Sequence, residues 1–174
     1  PCVSYLPKLV SYGFTEGFYS KPRIDDELLE KYHEGLICLS ACLAGEIPQK
    51  LLYGDYNAAK AKAEYYRDLF GKDNFFIELQ DHGIEEQQRI IPSLVRIAEE
   101  IGVDIVATND SHYIEKEDSK THNILLCIQT NRTINDNDRM EFQTNEFYLK
   151  TEEEMRSLFP KYPQAIENTQ KIAD

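Results

Sequence analysis

No run of apolar residues in this 174-residue chain approaches the length of a bilayer span, and Pro1-Cys2-Val3-Ser4 has neither the basic start nor the apolar core of a signal peptide. A soluble cytoplasmic protein with no membrane partner is expected. The four cysteines, Cys2, Cys38, Cys42 and Cys127, include no C-x-x-C pair. In a cytosolic setting they read as thiols rather than disulfides, and each is chemically able to ligate metal. Positive charge is scarce: 19 Lys and Arg stand against 31 Asp and Glu, a formal net charge of −12. That balance excludes a broad basic surface gripping nucleic acid by its phosphates. It does not exclude a phosphodiester substrate, because bound cations can supply positive charge locally. Internal repeats and low-complexity tracts are absent as well, while a hydrophobic fraction of 41% suffices for a real core in one domain or a piece of a larger one.

What is present alternates between helical and strand periods. Asp25 caps a short helix using Leu28, Leu29 and Tyr32, broken by Gly35, and a strand follows at Leu36–Ser40. Asp55 caps a longer helix with Ala59, Ala63, Tyr66 and Phe70 on one face and Gly71 as its stop, leading to a strand at Phe75–Leu79. Ile91, Leu94, Ala98 and Ile101 line a third helix ended by Gly102, with Pro92 at its first regular turn or a kink, and a third strand spans Asp104–Thr108. Strands separated by helices predict an α/β fold with a parallel sheet, whose reactive residues gather at the carboxyl ends of the strands. Beyond this lie a helix at Glu117–Gln129, a polar connection at Thr130–Asp138 and an extended Phe147-Tyr148-Leu149. A Thr151/Glu154 capping box precedes one more helix, and Pro163 opens the last.

The segment Asp104-Ile105-Val106-Ala107-Thr108-Asn109-Asp110-Ser111-His112-Tyr113 carries the most chemistry. Alternation puts Asp110 and His112 on one side of the chain, where a carboxylate and an imidazole can share a divalent ion; Asn-Asp is equally ordinary turn chemistry after a strand. Cys42 lies just past the first strand, and Gln80, Asp81 and His82 just past the second. Three consecutive strands thus aim metal-capable side chains at one rim, as a β/α barrel does in building an active site. His82 is a further candidate ligand, although Asp-His-Gly is also good turn chemistry. Arg23 and Lys21 could meet a phosphate near the rim or anchor their own loop. Glu78 is expected to face a neighbour or a barrel interior, His33 to serve a helix end, His122 a surface or interface, and Cys38 and Cys127 the core.

Five phrases together resemble one family: Glu16–Asp25 (EGFYSKPRID), Gly35–Glu46 (GLICLSACLAGE), Glu78–Gly83 (ELQDHG), Ala107–Tyr113 (ATNDSHY) and Phe147–Lys150 (FYLK). They look like the polymerase-and-histidinol-phosphatase (PHP) domain of bacterial DNA polymerase III alpha subunits. The resemblance implies a distorted seven-stranded β/α barrel, here a partial barrel with parallel strands and flanking helices, joined to a replicative polymerase. It points to Cys42, Asp110 and His112 as metal ligands, with Asp110 and His112 catalytic, in a domain that removes nucleotides from a DNA 3′ end. A thiolate and an imidazole among carboxylates favour zinc or manganese, zinc first, over magnesium alone; magnesium would serve the parent polymerase.

The family pattern also carries a His-x-His strand and further His, Asp and Glu ligands that are not found in this chain. Residues 1–130 are therefore expected to be the carboxyl-terminal portion of a PHP domain and 131–174 a connection toward the polymerase palm. The fragment alone is expected to have little or no nuclease activity. DNA, met through the parent protein, and other polymerase III holoenzyme subunits are the expected partners. Two functions lead, a proofreading phosphoesterase or a scaffold that stabilises the polymerase and docks a separate exonuclease; a stand-alone phosphatase for small phosphate esters ranks behind both, since the FYLK phrase and the helices after it resemble the polymerase junction.

Overall fold

Two aspartates set the starts of two helices by accepting a backbone N–H that the helix itself cannot satisfy. Asp25 accepts from Leu28 N at the start of α2 (Asp26–Tyr32), and Asp55 from Ala58 N at the start of α4 (Tyr56–Phe70). The structure is a computed structural model that describes residues 2–174, with side chains from Tyr5 onward; the expectation for the Cys2 thiol falls outside the described side chains. Along the chain, α1 (Cys2–Thr15) and α2 precede β1 (Cys38–Leu39), α3 (Glu46–Leu52), α4, β2 (Phe75–Leu79), α5 (Glu85–Ile101) and β3 (Asp104–Ala107). A 3₁₀ turn at Lys116–Asp118 then leads to α6 (Ser119–Thr130), α7 (Glu152–Leu158) and α8 (Pro163–Ala173). No helix of the described residues is long and apolar enough to cross a membrane.

The strands form one parallel sheet in the order β1-β2-β3, with Cys38 beside Phe75, Leu39 beside Phe76, and Ile77, Glu78 and Leu79 beside Ile105, Val106 and Ala107. This is the α/β arrangement of parallel strands and flanking helices that the alternating periods predict. Phe75, Ile77 and Leu79 are fully buried and join Ile105 and Ala107 in a core completed by Ala59 and Ala63 of α4 and Leu94, Ile97 and Ala98 of α5. Phe159, Ala165 and Ile166 enter the same core, so the chain's last helices pack with the sheet. Asn168 Nδ2 adds a hydrogen bond to the Ile105 carbonyl, and Lys171 an ion pair to Asp104.

Several local expectations change. β1 pairs over two residues rather than the five of Leu36–Ser40: Leu36 N is spent in a turn on the His33 carbonyl, and Ala41 takes a left-handed φ of 67° that swings the chain off the sheet. β3 stops at Ala107, one residue short of Thr108. α5 begins seven residues before Pro92, at Glu85; Pro92 is exposed, so the carbonyl it leaves without an amide partner can turn toward water. The helix expected from Glu117 begins at Ser119 after the 3₁₀ turn. Two helices, α1 and α3, have no counterpart in the sequence reading. α3 is seven residues long, under two turns, and its cap is Gly45 with no side-chain hydrogen bond, so it lacks both a readable period and a cap signature. Gly45 is required on steric grounds, since a Cβ there would stand 2.5 Å from the Ser40 carbonyl oxygen.

Ile77→Ala removes a side chain with no exposed surface from the centre of this core. The expected loss is about 2–5 kcal/mol of unfolding free energy, read as a lower urea midpoint at unchanged slope; a loss under about 0.5 kcal/mol would contradict the packing described.

Candidate functional site

Parallel strands deliver Ser40, Gln80 and Thr108 to the same edge of the sheet, and short polar contacts bind that edge together. Ser40 Oγ accepts from Glu78 N at 2.8 Å; Gln80 Nε2 donates to Glu78 Oε1 and Thr108 Oγ1, both at 3.1 Å; and the Thr108 hydroxyl donates to Glu78. Glu78 is thus held by its neighbours, as its place on the strand predicts. Just beyond β3, Asp110 Oδ1 and His112 Nε2 lie 3.3 Å apart, both substantially open to solvent. The pair expected from the Asp-x-His spacing therefore meets, as a carboxylate and an imidazole pointing at one region of space.

Residues 144–150 hold this pair in place. The Phe147 carbonyl accepts from His112 N at 2.7 Å and Tyr113 N at 3.3 Å, Leu149 N donates to the Tyr113 carbonyl at 3.0 Å, and Asn109 donates its side-chain amide to the Tyr148 carbonyl. Thr144 Oγ1 donates to the His82 carbonyl at 2.7 Å, so the same segment also grips the loop after β2. Beneath it the Lys150 ammonium is almost wholly buried, 3.3 Å from Glu146 Oε2, over the Tyr148 ring and within 3.5 Å of Asn109 Oδ1. Lys116 pairs with the other Glu146 oxygen. Burial pushes the Glu146 carboxyl upward, but the hydrogen bonds from Lys116 and Lys150 outweigh it and the net shift is downward. Burial lowers the Lys150 ammonium in spite of Glu146.

The other candidate residues go elsewhere. Cys42 is half-buried at the end of β1, against a small void shared with Glu78, Gln80 and Gln87. Among the described residues no three His, Cys, Asp or Glu side chains converge closely enough to hold an ion, so Cys42, Asp110 and His112 are not one triad here. The sheet order supplies the reason. β1 and β3 are separated by β2, two spacings of ~4.8 Å, whereas an ion with bonds of ~2.0–2.3 Å joins donors about 4 Å apart. His82 is completely buried and stacked on Phe147 at 4.2 Å. Gln87 Nε2 lies 2.9 Å from its Nδ1 and the Asp110 amide nitrogen 3.3 Å from its Nε2. Both ring nitrogens are engaged inside the protein, and burial, with the Lys150 charge, lowers its pKa. A neutral ring bracing the Asp110 backbone is the role its contacts give it, in place of the ligation considered from sequence.

Arg23 anchors its own loop: it donates to the Tyr19 carbonyl at 2.7 Å and lies over the Tyr19 ring, the second of its two sequence readings. Its carbonyl crowds Gly17, where a Cβ would come within 2.0 Å. His33 Nδ1 contacts the carbonyls of Leu29 and Glu30 at the end of α2, Cys127 is buried, and burial raises the Cys38 thiol to about 11. His122 stands closer to the candidate site than expected, its ring 5.3 Å from that of His112 and 4.8 Å from Phe142. Sequence reading missed Phe142, Phe147, Glu146 and Lys150 as parts of the site, since they lie more than thirty positions from Asp110 and carry no metal-ligand spacing. The FYLK phrase was the one signal available.

The donor set can be tested against a metal. A carboxylate with an imidazole suits zinc or manganese, but two adjacent donors fall short of the four of a zinc site, so these residues do not make a complete centre by themselves.

A model of the PHP domain family matches residues 3–82, a stretch that includes Cys42 and ends at His82. Residues 3–82 thus belong to the PHP domain family, and the chain along nearly its whole length is similar to DNA polymerase III alpha subunits. It is 52% identical over 168 residues to the DNA polymerase III subunit alpha of Treponema pallidum, covering 97% of this chain and 14% of that protein. Identity to the subunit of Borreliella burgdorferi is 46% over 169 residues, covering 97% and 15%, and to that of Deinococcus radiodurans 46% over 172 residues, covering 97% and 13%. The chain thus spans about a seventh of the length of these relatives.

Because the lowered Glu146 carboxyl is charged in the folded state, its contribution is present above the ordinary glutamate value, about 4.3, and is lost as pH falls through the lower folded value. Glu146→Gln is expected to lower the melting temperature at pH 7 and to flatten its decline below pH 4.3; an acid limb as steep as that of the parent would remove Glu146 from this role.

Proposed function

We propose that this chain is the PHP portion of a replicative DNA polymerase III alpha subunit and that its Asp110–His112 pair serves a metal-dependent phosphoesterase trimming DNA 3′ ends. The observation that carries the reading is the 3.3 Å approach of Asp110 and His112 at the carboxyl edge of a parallel sheet, braced from below by His82 and Phe147. In this reading Asp110, His112 and Cys42 would help hold a zinc or manganese cluster, with further donors from elsewhere in the polypeptide. Such ions supply a Lewis acid and an activated water for hydrolysis. The chain's own part is to hold the carboxylate and imidazole oriented toward them. A net charge of −12 agrees with substrate held through cations rather than through a basic surface.

The finer architecture belongs to the same proposal: a seven-stranded barrel of which β1, β2 and β3 are three members, residues 1–130 within the PHP domain, and 131–174 leading toward the palm. Polymerisation with magnesium, DNA and holoenzyme partners, and a cytoplasmic location are attributes of the parent protein.

One observation favours the second reading, a scaffold that docks a separate exonuclease. Ile124, Leu125 and Ile128 of α6 are each more than half exposed, which is the character of an interaction surface.

Asp110→Asn in the full-length protein decides between them. The phosphoesterase reading expects metal-dependent 3′ trimming to fall by about a hundredfold or more while polymerisation persists, since even residues behind a ligand cost 10–100-fold; unchanged trimming would eliminate it. The 174-residue chain alone, with its incomplete donor set, is expected to release no nucleotides in zinc or manganese.

A further inference from the structure

A cavity of about 340 Å³ opens beside α6, walled by Tyr113, His122 and Phe142. Its volume falls in the range of small-ligand sites. The rings of His122 and Phe142 lie 5.3 and 4.7 Å from that of His112, so the cavity adjoins the Asp110–His112 pair. Its polar groups are mostly uncharged: Asn123, Gln143 and Asn145 bring side-chain amides, each with donors and an acceptor. The Tyr113 ring also lines the cavity, while its hydroxyl is buried away from it, toward the Phe147 backbone and Glu146.

This combination selects a ligand class. Aromatic faces with amides at their rim suit a flat, uncharged heterocycle that stacks and hydrogen-bonds at its edge. Glu141 also lines the cavity, and no Lys or Arg does, so an anionic group would be repelled there. A plain hydrocarbon would strand the amides. We propose that the cavity is a nucleobase subsite, seating the base of a single-stranded nucleotide whose phosphate lies at Asp110 and His112. The placement of the phosphate rests on the phosphoesterase reading above; the binding of the base does not. The subsite would favour an unpaired 3′ end, because a base still stacked in a duplex cannot enter it.

Deoxyadenosine and thymidine, which lack phosphate, test the base-binding step without metal or Asp110. The 174-residue chain is titrated with each in a chelating buffer while the ring resonances of His122 and Tyr113 are followed by NMR. Saturable shifts are expected with both nucleosides and not with glucose. Phe142→Leu is expected to weaken binding about tenfold, the lower part of the range for loss of one stacking partner, and Asn123→Ala, a change on a half-buried helical position, about two- to tenfold, the range for loss of one hydrogen bond. Phe142 also packs against Phe147, so a spectrum preserved elsewhere in Asn123→Ala keeps the test independent of folding. Absence of saturation, an equal response to glucose, or affinities unmoved by both substitutions overturns the proposal. Trimming by Asp110→Asn separately judges the phosphoesterase reading: its failure there, with nucleoside binding intact, leaves a base-binding pocket with another use.

Discussion

The Phe147 carbonyl, shared by the amides of His112 and Tyr113, is the contact on which the geometry of the site depends. A loop beyond the end of a strand has no ladder to satisfy its backbone, and an unpaired amide near the protein interior is costly. By accepting two of them, Phe147 makes the Asp110–His112 loop the neighbour of a segment more than thirty residues away. The ring of the same residue stacks on His82, which meets the Asp110 amide from the other side. Backbone acceptor and aromatic face thus act together from one residue, and the pairing of the half-buried Glu146 with the buried Lys150 fixes the segment that carries it.

Sheet order then determines what can combine with what. Asp110 and His112 belong to one connection and meet, while Cys42 sits two strands away with Glu78 and Gln80 between. A rim of this kind distributes donors along a line instead of gathering them at a point. Strand-end position therefore pointed to the edge where these side chains lie but not to a three-residue group. The aromatic side of the same loop, with His122 and Phe142, offers a surface of different chemistry next to the donors.

Local signals were the legible ones. The caps at Asp25 and Asp55, the Thr151/Glu154 capping box, Phe75–Leu79 as a strand and the αL stop at Gly102 could be read because each depends on residues within one or two turns. α3 was illegible because it is short and glycine-capped, and the length of β1 because pairing depends on a partner strand and on the φ of Ala41. His82 was judged from a turn-like tripeptide. Its burial comes from Gln87 and Phe147, one on the following helix and one sixty-five positions on.

The sequence by itself determined the alternation of strands and helices, the acidic balance that rules out a broad basic surface, and the Asp-x-His spacing that brings a carboxylate and an imidazole to one side. These are properties of period, composition and adjacency. Only the tertiary structure decided that Phe147 and Lys150 brace the Asp110 loop, that His82 is a buried support, and that Cys42 stands apart from the pair. Each of those depends on contacts between segments far apart in the chain, whose energies come from burial and satisfied backbone groups that no local pattern encodes.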